Sequence, residues 1–263
     1  MTPDGAASPV AVTSSNAVTT ITIDRPDRRN AINLEVVRGL TDALREAEAE
    51  ESTRAVVLTG SGEKAFCAGG DLGGMADTSR VGRHFARAEV GDLFARMRSS
   101  RLPIVARVNG HALAGGFGLM LACDLVICVD QAEMGMPEVN LGLWPFMITA
   151  IVQRDLPRKV ALELMLTGRR MPAAEGERWG FVNKVVGRDR LDEEVAQTTE
   201  RLCAASPLVL SLGKRSYYRA EDMPFDPQLA YLAGMLTLCL ESEDAIEGVT
   251  AFLEKRPPEW KGR

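Results

Sequence analysis

Histidine is nearly absent: His84 and His111 are the only two in 263 residues. No Cys-x-x-Cys pair accompanies them, which removes the usual framework of a zinc site. No Gly-x-Ser-x-Gly elbow is present either. The five cysteines, Cys67, Cys123, Cys128, Cys203 and Cys239, are odd in number and irregular in spacing. Several lie in apolar runs, so they read as reduced, buried thiols rather than as a disulfide framework. There is no excess of positive charge. A net charge of −5 lacks the basic signature of a nucleic-acid binder, so an anionic ligand would have to be met by local positive charge. No apolar run approaches the length of a membrane span. The start, Met1-Thr2-Pro3-Asp4-Gly5, lacks the basic residues and apolar centre of a signal peptide. Together these absences predict a cytoplasmic protein with no membrane or nucleic-acid partner and no bound metal.

What is present is an ordinary globular composition, 46% hydrophobic and 25% charged, long enough for one large domain or two small ones. Residues 1–16 are dominated by Ala, Ser, Thr and Pro and are predicted to be a disordered tail. Val18–Ile23 alternates and reads as a strand, and Ala55–Leu58, Ile104–Val108 and Leu125–Val129 read as buried strands. Asn33 can cap a helix that runs to about Glu50, with Leu34, Val37, Leu40 and Leu44 at helical spacing. A second helix is predicted over 83–99. Strands alternating with helices argue for a mostly parallel α/β core. After about Ile148 the pattern turns helical, over 159–167, 173–180, 191–205 and about 227–253.

Two glycine-containing segments stand out: Ala65-Phe66-Cys67-Ala68-Gly69-Gly70-Asp71-Leu72, and Asn109-Gly110-His111-Ala112-Leu113-Ala114-Gly115-Gly116-Phe117-Gly118. Each follows a short apolar strand and leads toward a helix. Glycine allows a sharp turn and leaves its N–H unshielded, and a helix N-terminus adds partial positive charge. Two such N–H groups converging on one carbonyl oxygen would form an oxyanion hole. Either segment alone is equally consistent with a plain strand-to-helix turn. Gly116-Phe117-Gly118 lacks the third glycine of a dinucleotide fingerprint. His111 reads as a structural histidine beside the turn.

The order of four pieces carries a resemblance. Arg25-Pro26 with Asn30-Ala31-Ile32, then Phe66 to Leu72, then Asn109 to Gly116, then Met136-Pro137-Glu138, resembles the crotonase superfamily, the enoyl-CoA hydratase/isomerase family. The likeness runs from about Val18 to the end of the chain. It implies an α/β fold with a superhelical core of ββα turns over residues 17–200. It also implies a helical C-terminal region, 201–263, that covers the core or a neighbouring subunit in a homotrimer or homohexamer. The substrate implied is a coenzyme A thioester, with no further cofactor.

The resemblance also implies roles. Gly70 and Gly115 would supply the oxyanion N–H groups. Ala68 would present its carbonyl to the adenine, with Gly69, Asp71 and Leu72 beside it. Arg28, Arg29 and Ala31 lie where the first loop touches the nucleotide. Arg28 and Arg29 are equally readable as solvated loop charges, and Asp71 as the cap of the following helix. Glu138 matches an acidic position of the family and lies among Met134, Met136, Val139, Leu141, Leu143 and Trp144. An apolar setting raises a carboxyl pKa and suits it to proton transfer. The hydratases carry a second Glu where this chain has Gly118. Trp144 and Phe146 would line the acyl pocket. Proton transfer by Glu138 alone favours an isomerase-like reaction. Hydration with a replaced first acid, decarboxylation, thioester hydrolysis and non-catalytic acyl-CoA binding stay open.

Overall fold

Val18–Ile23 buries every second residue, with Thr19, Ile21 and Ile23 inward, and forms strand β2. Its neighbour β3, Ala55–Gly60, is buried at all six positions, as a strand covered on both faces must be. β5 (Ile104–Val108), β7 (Leu125–Val129) and β10 (Lys184–Val186) continue the sheet in parallel. A second, shorter sheet has the order β4 (Ala65–Cys67), β6 (His111–Leu113), β8 (Glu133–Gly135), β9 (Arg170–Pro172). Its first three strands are parallel and β9 is antiparallel. The computed structural model describes residues 8–71 and 80–263, the side chains of 80–86 excepted.

The chain visits the two sheets in turn. β3 passes to β4 and then to helix α2 (Arg80–Ser99); β5 passes to β6 and then to α3 (Gly115–Leu121). β7 passes to β8 and then, through a 3-10 turn at Pro137–Leu141, to α4 (Phe146–Asp155). This is the expected succession of ββα turns. The first turn, leading into α1 (Leu34–Ala49), has no second strand, only a single parallel bridge between Ile32 and Gly70. Asn33 caps α1 as expected, its Oδ1 accepting from the Val36 N–H at 2.9 Å.

Two expectations are corrected. Val10–Ser15 is not a tail but strand β1, paired antiparallel with β2 from Val10↔Ile23 to Ser15↔Val18. The hairpin turns on Asn16 and Ala17, both at positive φ, 51° and 63°. Such a two-residue turn is normally advertised by a glycine, and here an alanine stands in its place. The predicted helix over 227–253 is two helices, α9 (Phe225–Leu240) and α10 (Glu243–Glu254). Ser242 separates them by capping α10 through the Ala245 N–H at 3.0 Å.

The remaining helices are α5 (Arg158–Thr167), α6 (Ala173–Trp179), α7 (Leu191–Cys203) and α8 (Pro207–Ala220). α7 packs on β3, β5 and β7 and so crosses residue 200, where the core was expected to end. α8 had no counterpart in the sequence reading. It is fastened to the core through Asp124, which accepts from Lys214 Nζ at 2.7 Å and from the Tyr218 hydroxyl at 2.9 Å.

Candidate active site

Strands β4, β6 and β8 are parallel neighbours, so their C-terminal ends lie on one side of the small sheet. Those ends deliver Gly69-Gly70-Asp71, Ala114-Gly115 and Met136-Pro137-Glu138. Three segments far apart in sequence meet there because the ββα succession repeats.

The two glycine turns touch. A Cβ on Gly69 would lie 2.6 Å from Ala114 Cβ and 3.2 Å from Gly115 N, and Gly69 sits at φ +95°. Both facts require glycine. Gly70 is bridged to Ile32 through its neighbours: Ile32 N–H donates to the Gly69 carbonyl at 2.7 Å, and Asp71 N–H to the Ile32 carbonyl at 2.8 Å. In a parallel bridge the central residue's own N–H faces away from the partner. Gly70 N lies 3.8 Å from the position a Cβ would take on Gly115. Gly115 is the first residue of α3, so its N–H has no carbonyl one turn back to bond. Both donors are therefore free of secondary-structure duties on adjoining turns.

Ala114 holds the second turn open at a cost. Its backbone, φ 52° and ψ −129°, is a conformation that side-chain-bearing residues rarely adopt, and its N–H is anchored on the Gly135 carbonyl at 2.8 Å. Such strain, of order 1–3 kcal/mol, persists where surrounding structure over-determines it.

Glu138 opens the 3-10 turn that follows β8, behind Pro137. Its Oε2 is buried and has no hydrogen-bond partner among the described residues. Burial raises the carboxyl pKa above the usual glutamate range, against a smaller lowering by a backbone hydrogen bond. Trp144 is partly buried against the core, whereas Phe146 is 78% exposed and forms no enclosed wall in the single chain. Gly118 is buried on α3 with ordinary helical φ, so no backbone constraint calls for glycine there.

The first loop reaches the same turns from the other side. Arg25, whose part sequence reasoning missed, donates to the Ala31 carbonyl at 2.5 Å and to Asp71 Oδ2 at 2.8 Å. It clamps the loop onto the Gly70 turn, so Asp71 is held by an ion pair. Leu72 and the helix start that Asp71 would cap lie outside the described residues. The Ala68 N–H donates to the Arg29 carbonyl at 3.1 Å, which sets Ala68 beside this loop. Arg28 is exposed. The Arg29 side chain lines a basic cleft with Lys64, His111, Arg170 and Arg188, at the N-terminal ends of β4, β6 and β8. His111 is structural: its Nδ1 accepts the Glu133 N–H at 3.0 Å. Cys67 lies close to the Gly69 turn, but burial pushes its thiol up to about 12, which removes it as a thiolate nucleophile.

Comparisons with known proteins agree with this fold. A family model for enoyl-CoA hydratase/isomerase matches residues 13–263. A carnitinyl-CoA dehydratase of Escherichia coli K12 is 35% identical over 257 residues, covering 96% of this chain and 98% of its own. The structure of an enoyl-CoA hydratase from Mycobacterium smegmatis superposes with a TM-score of 0.92 at 33% identity, covering 96% of this chain and 98% of its own. An enoyl-CoA hydratase from Bacillus anthracis gives 0.92 at 31% identity, over 97% of this chain and all of its own.

Proposed function

Since the chain belongs to the enoyl-CoA hydratase/isomerase family, we propose that it moves a proton within an acyl-CoA thioester, with Glu138 as the carrier. The thioester oxygen accepts from the Gly70 and Gly115 N–H groups. Glu138 takes a proton from the α-carbon of a 3-enoyl thioester, and the electron pair passes into a dienolate whose oxygen the two donors stabilise. Returning the proton to the γ-carbon gives the 2-enoyl thioester and restores the carboxylate. Each fixed donor of this kind is worth about 3 kcal/mol in the transition state. The coenzyme A portion would run past Ala68 and Gly69 along the clamped loop of Arg28, Arg29 and Ala31, with Asp71 and Leu72 beside the turn and Trp144 and Phe146 toward the acyl group. No cofactor beyond the substrate's own coenzyme A takes part.

One observation supports this reading: a buried carboxylate oxygen, unpartnered among the described residues, on the 3-10 turn that follows β8, the strand beside β6 and its Gly115 turn. The test is proton exchange. NMR in D2O should show deuterium entering the α-carbon of an acyl-CoA with wild type, and at least ~100-fold more slowly with Glu138→Gln, the low end for general acid–base catalysis. Unchanged exchange in that variant would remove Glu138 from the mechanism.

The carnitinyl-CoA dehydratase relative favours a second reading, elimination of water from a 3-hydroxyacyl thioester. Glu138 would take the α-proton, and a second donor would have to protonate the departing hydroxide. Mass spectrometry of 3-enoyl-, 2-enoyl- and 3-hydroxyacyl-CoA after incubation separates the two. In both readings the enzyme works in the cytoplasm as a homotrimer or a dimer of trimers.

A further inference from the structure

Gly118 is three residues beyond Gly115 on α3, so the two lie on one face of the helix. A Cβ on Gly118 would stand 2.1 Å from Ile148 Cγ2 and 2.6 Å from Ile148 Cβ. Neither distance is possible without displacement. Ile148 belongs to the first turn of α4, is only 2% exposed, and sits where α4 packs along α3. A branched aliphatic side chain from the next helix therefore fills the room that a side chain at 118 would take. Glycine is the poorest helix former after proline, and the backbone here does not need it. Ile148 does.

The consequence is chemical. Adding water to a 2-enoyl thioester forms a carbon–oxygen bond at the β-carbon, removes a proton from water, and places a proton on the α-carbon. Glu138 can perform one of these transfers while the other waits. Asp71, next to the Gly70 turn, is engaged by Arg25. The side chain of Ile148, packed on Gly118 three residues along α3 from Gly115, offers neither a base for water nor a hydrogen bond to hold it. We propose that Ile148 is the specificity-determining residue of this site. By occupying the space over Gly118 it excludes a second acid–base group and its water, so that enolate formation is kept and water addition is suppressed. The proposal rests on the assignment of Glu138 and the two glycine turns as the proton-transfer site.

The experiment compares two rates in each protein: deuterium exchange at the α-carbon of an acyl-CoA, and hydration of a 2-enoyl-CoA followed by loss of its ultraviolet absorbance. Wild type should exchange at least ~100-fold faster than it hydrates. Ile148→Ala opens space beside Gly118, and added formate should then raise hydration in proportion to its concentration, with no such effect on wild type. Gly118→Glu combined with Ile148→Ala should gain hydration by at least ~10-fold, a modest fraction of a general acid–base contribution. Hydration by wild type as fast as exchange would overturn the proposal. So would an Ile148→Ala enzyme that still exchanges but gains nothing from formate; that arm decides the matter even if the double variant does not fold. Absence of exchange in wild type, or exchange that survives Glu138→Gln, would overturn the underlying assignment and this proposal with it.

Discussion

Glu138 has one oxygen that is buried without a hydrogen-bond partner among the described residues. A carboxyl that is harder to ionise when folded adds stability below its unfolded pKa, and loses it as pH rises through the raised folded value. Glu138→Gln should therefore melt higher than wild type at pH 8, with the gap closing near pH 4, even as activity disappears. Equal melting curves at both pH values would mean that the carboxylate pays no burial cost. Activity that depends on the ionised carboxylate should fall on acidification from a higher pH than an ordinary glutamate would give. The other residue-scale prediction concerns Gly115. The nearest atoms to a Cβ there are 3.8 Å away, so Gly115→Ala fits and keeps its N–H. Gly115→Pro also suits the first position of a helix but removes the donor. The expected contrast is near-normal turnover for alanine and a loss of ~10²–10³ for proline, with acyl-CoA binding checked by calorimetry. Similar rates in a folded, binding-competent proline variant would show that this N–H does not hold the oxyanion.

The hairpin of β1 and β2 shows how an element can escape a sequence reading. Ser15-Asn16-Ala17-Val18 lacks the glycine that marks a two-residue turn, and five of the six β1 residues are exposed. Polar, small and outward-facing, they resemble a tail. Only Val10 is buried, against the position of Gly39 on α1. A truncation beginning at Asn16 should consequently lower the melting temperature by several degrees, since about 1 kcal/mol moves it by roughly 2–4 °C in a chain of this size. A truncation beginning at Ser8 keeps the strand and serves as the control. Equal melting of the two would make β1 dispensable. The division between α9 and α10 was hidden for a similar reason. Ser242 stands between Glu241 and Glu243 with no Gly or Pro to mark a break, and a single capping serine is a weak signal there.

At the scale of the molecule, the C-terminal helices leave apolar surface uncovered. No residue of α9 is buried, and Phe225, Leu236, Leu238 and Leu240 are each more than half exposed. On α10, Phe252 and Leu253 are 82% and 73% exposed. Exposed patches of this kind mark association surfaces. Light scattering should give a trimer or a multiple of it; a monomer near 28.5 kDa would refute the assembly.

The sequence by itself determined the frame. Buried parallel strands are short apolar runs, so β3, β5 and β7 were readable from composition and length, and β2 from its alternation. Asn33 was readable as a cap because capping is local chemistry. The paired glycine segments and Glu138 could be picked out as candidates because each piece stands intact in the chain. What only the tertiary structure decided are relations between distant segments: that the Gly69 and Ala114 turns touch, that Arg25 clamps Asp71, that Arg29 shares a cleft with Lys64 and Arg188, and that Glu138 hides one oxygen. The meaning of Gly118 belongs to this second group. In sequence it is a missing carboxylate; in the fold it is room already taken by Ile148, thirty positions away, because steric exclusion acts through space and leaves no mark along the chain.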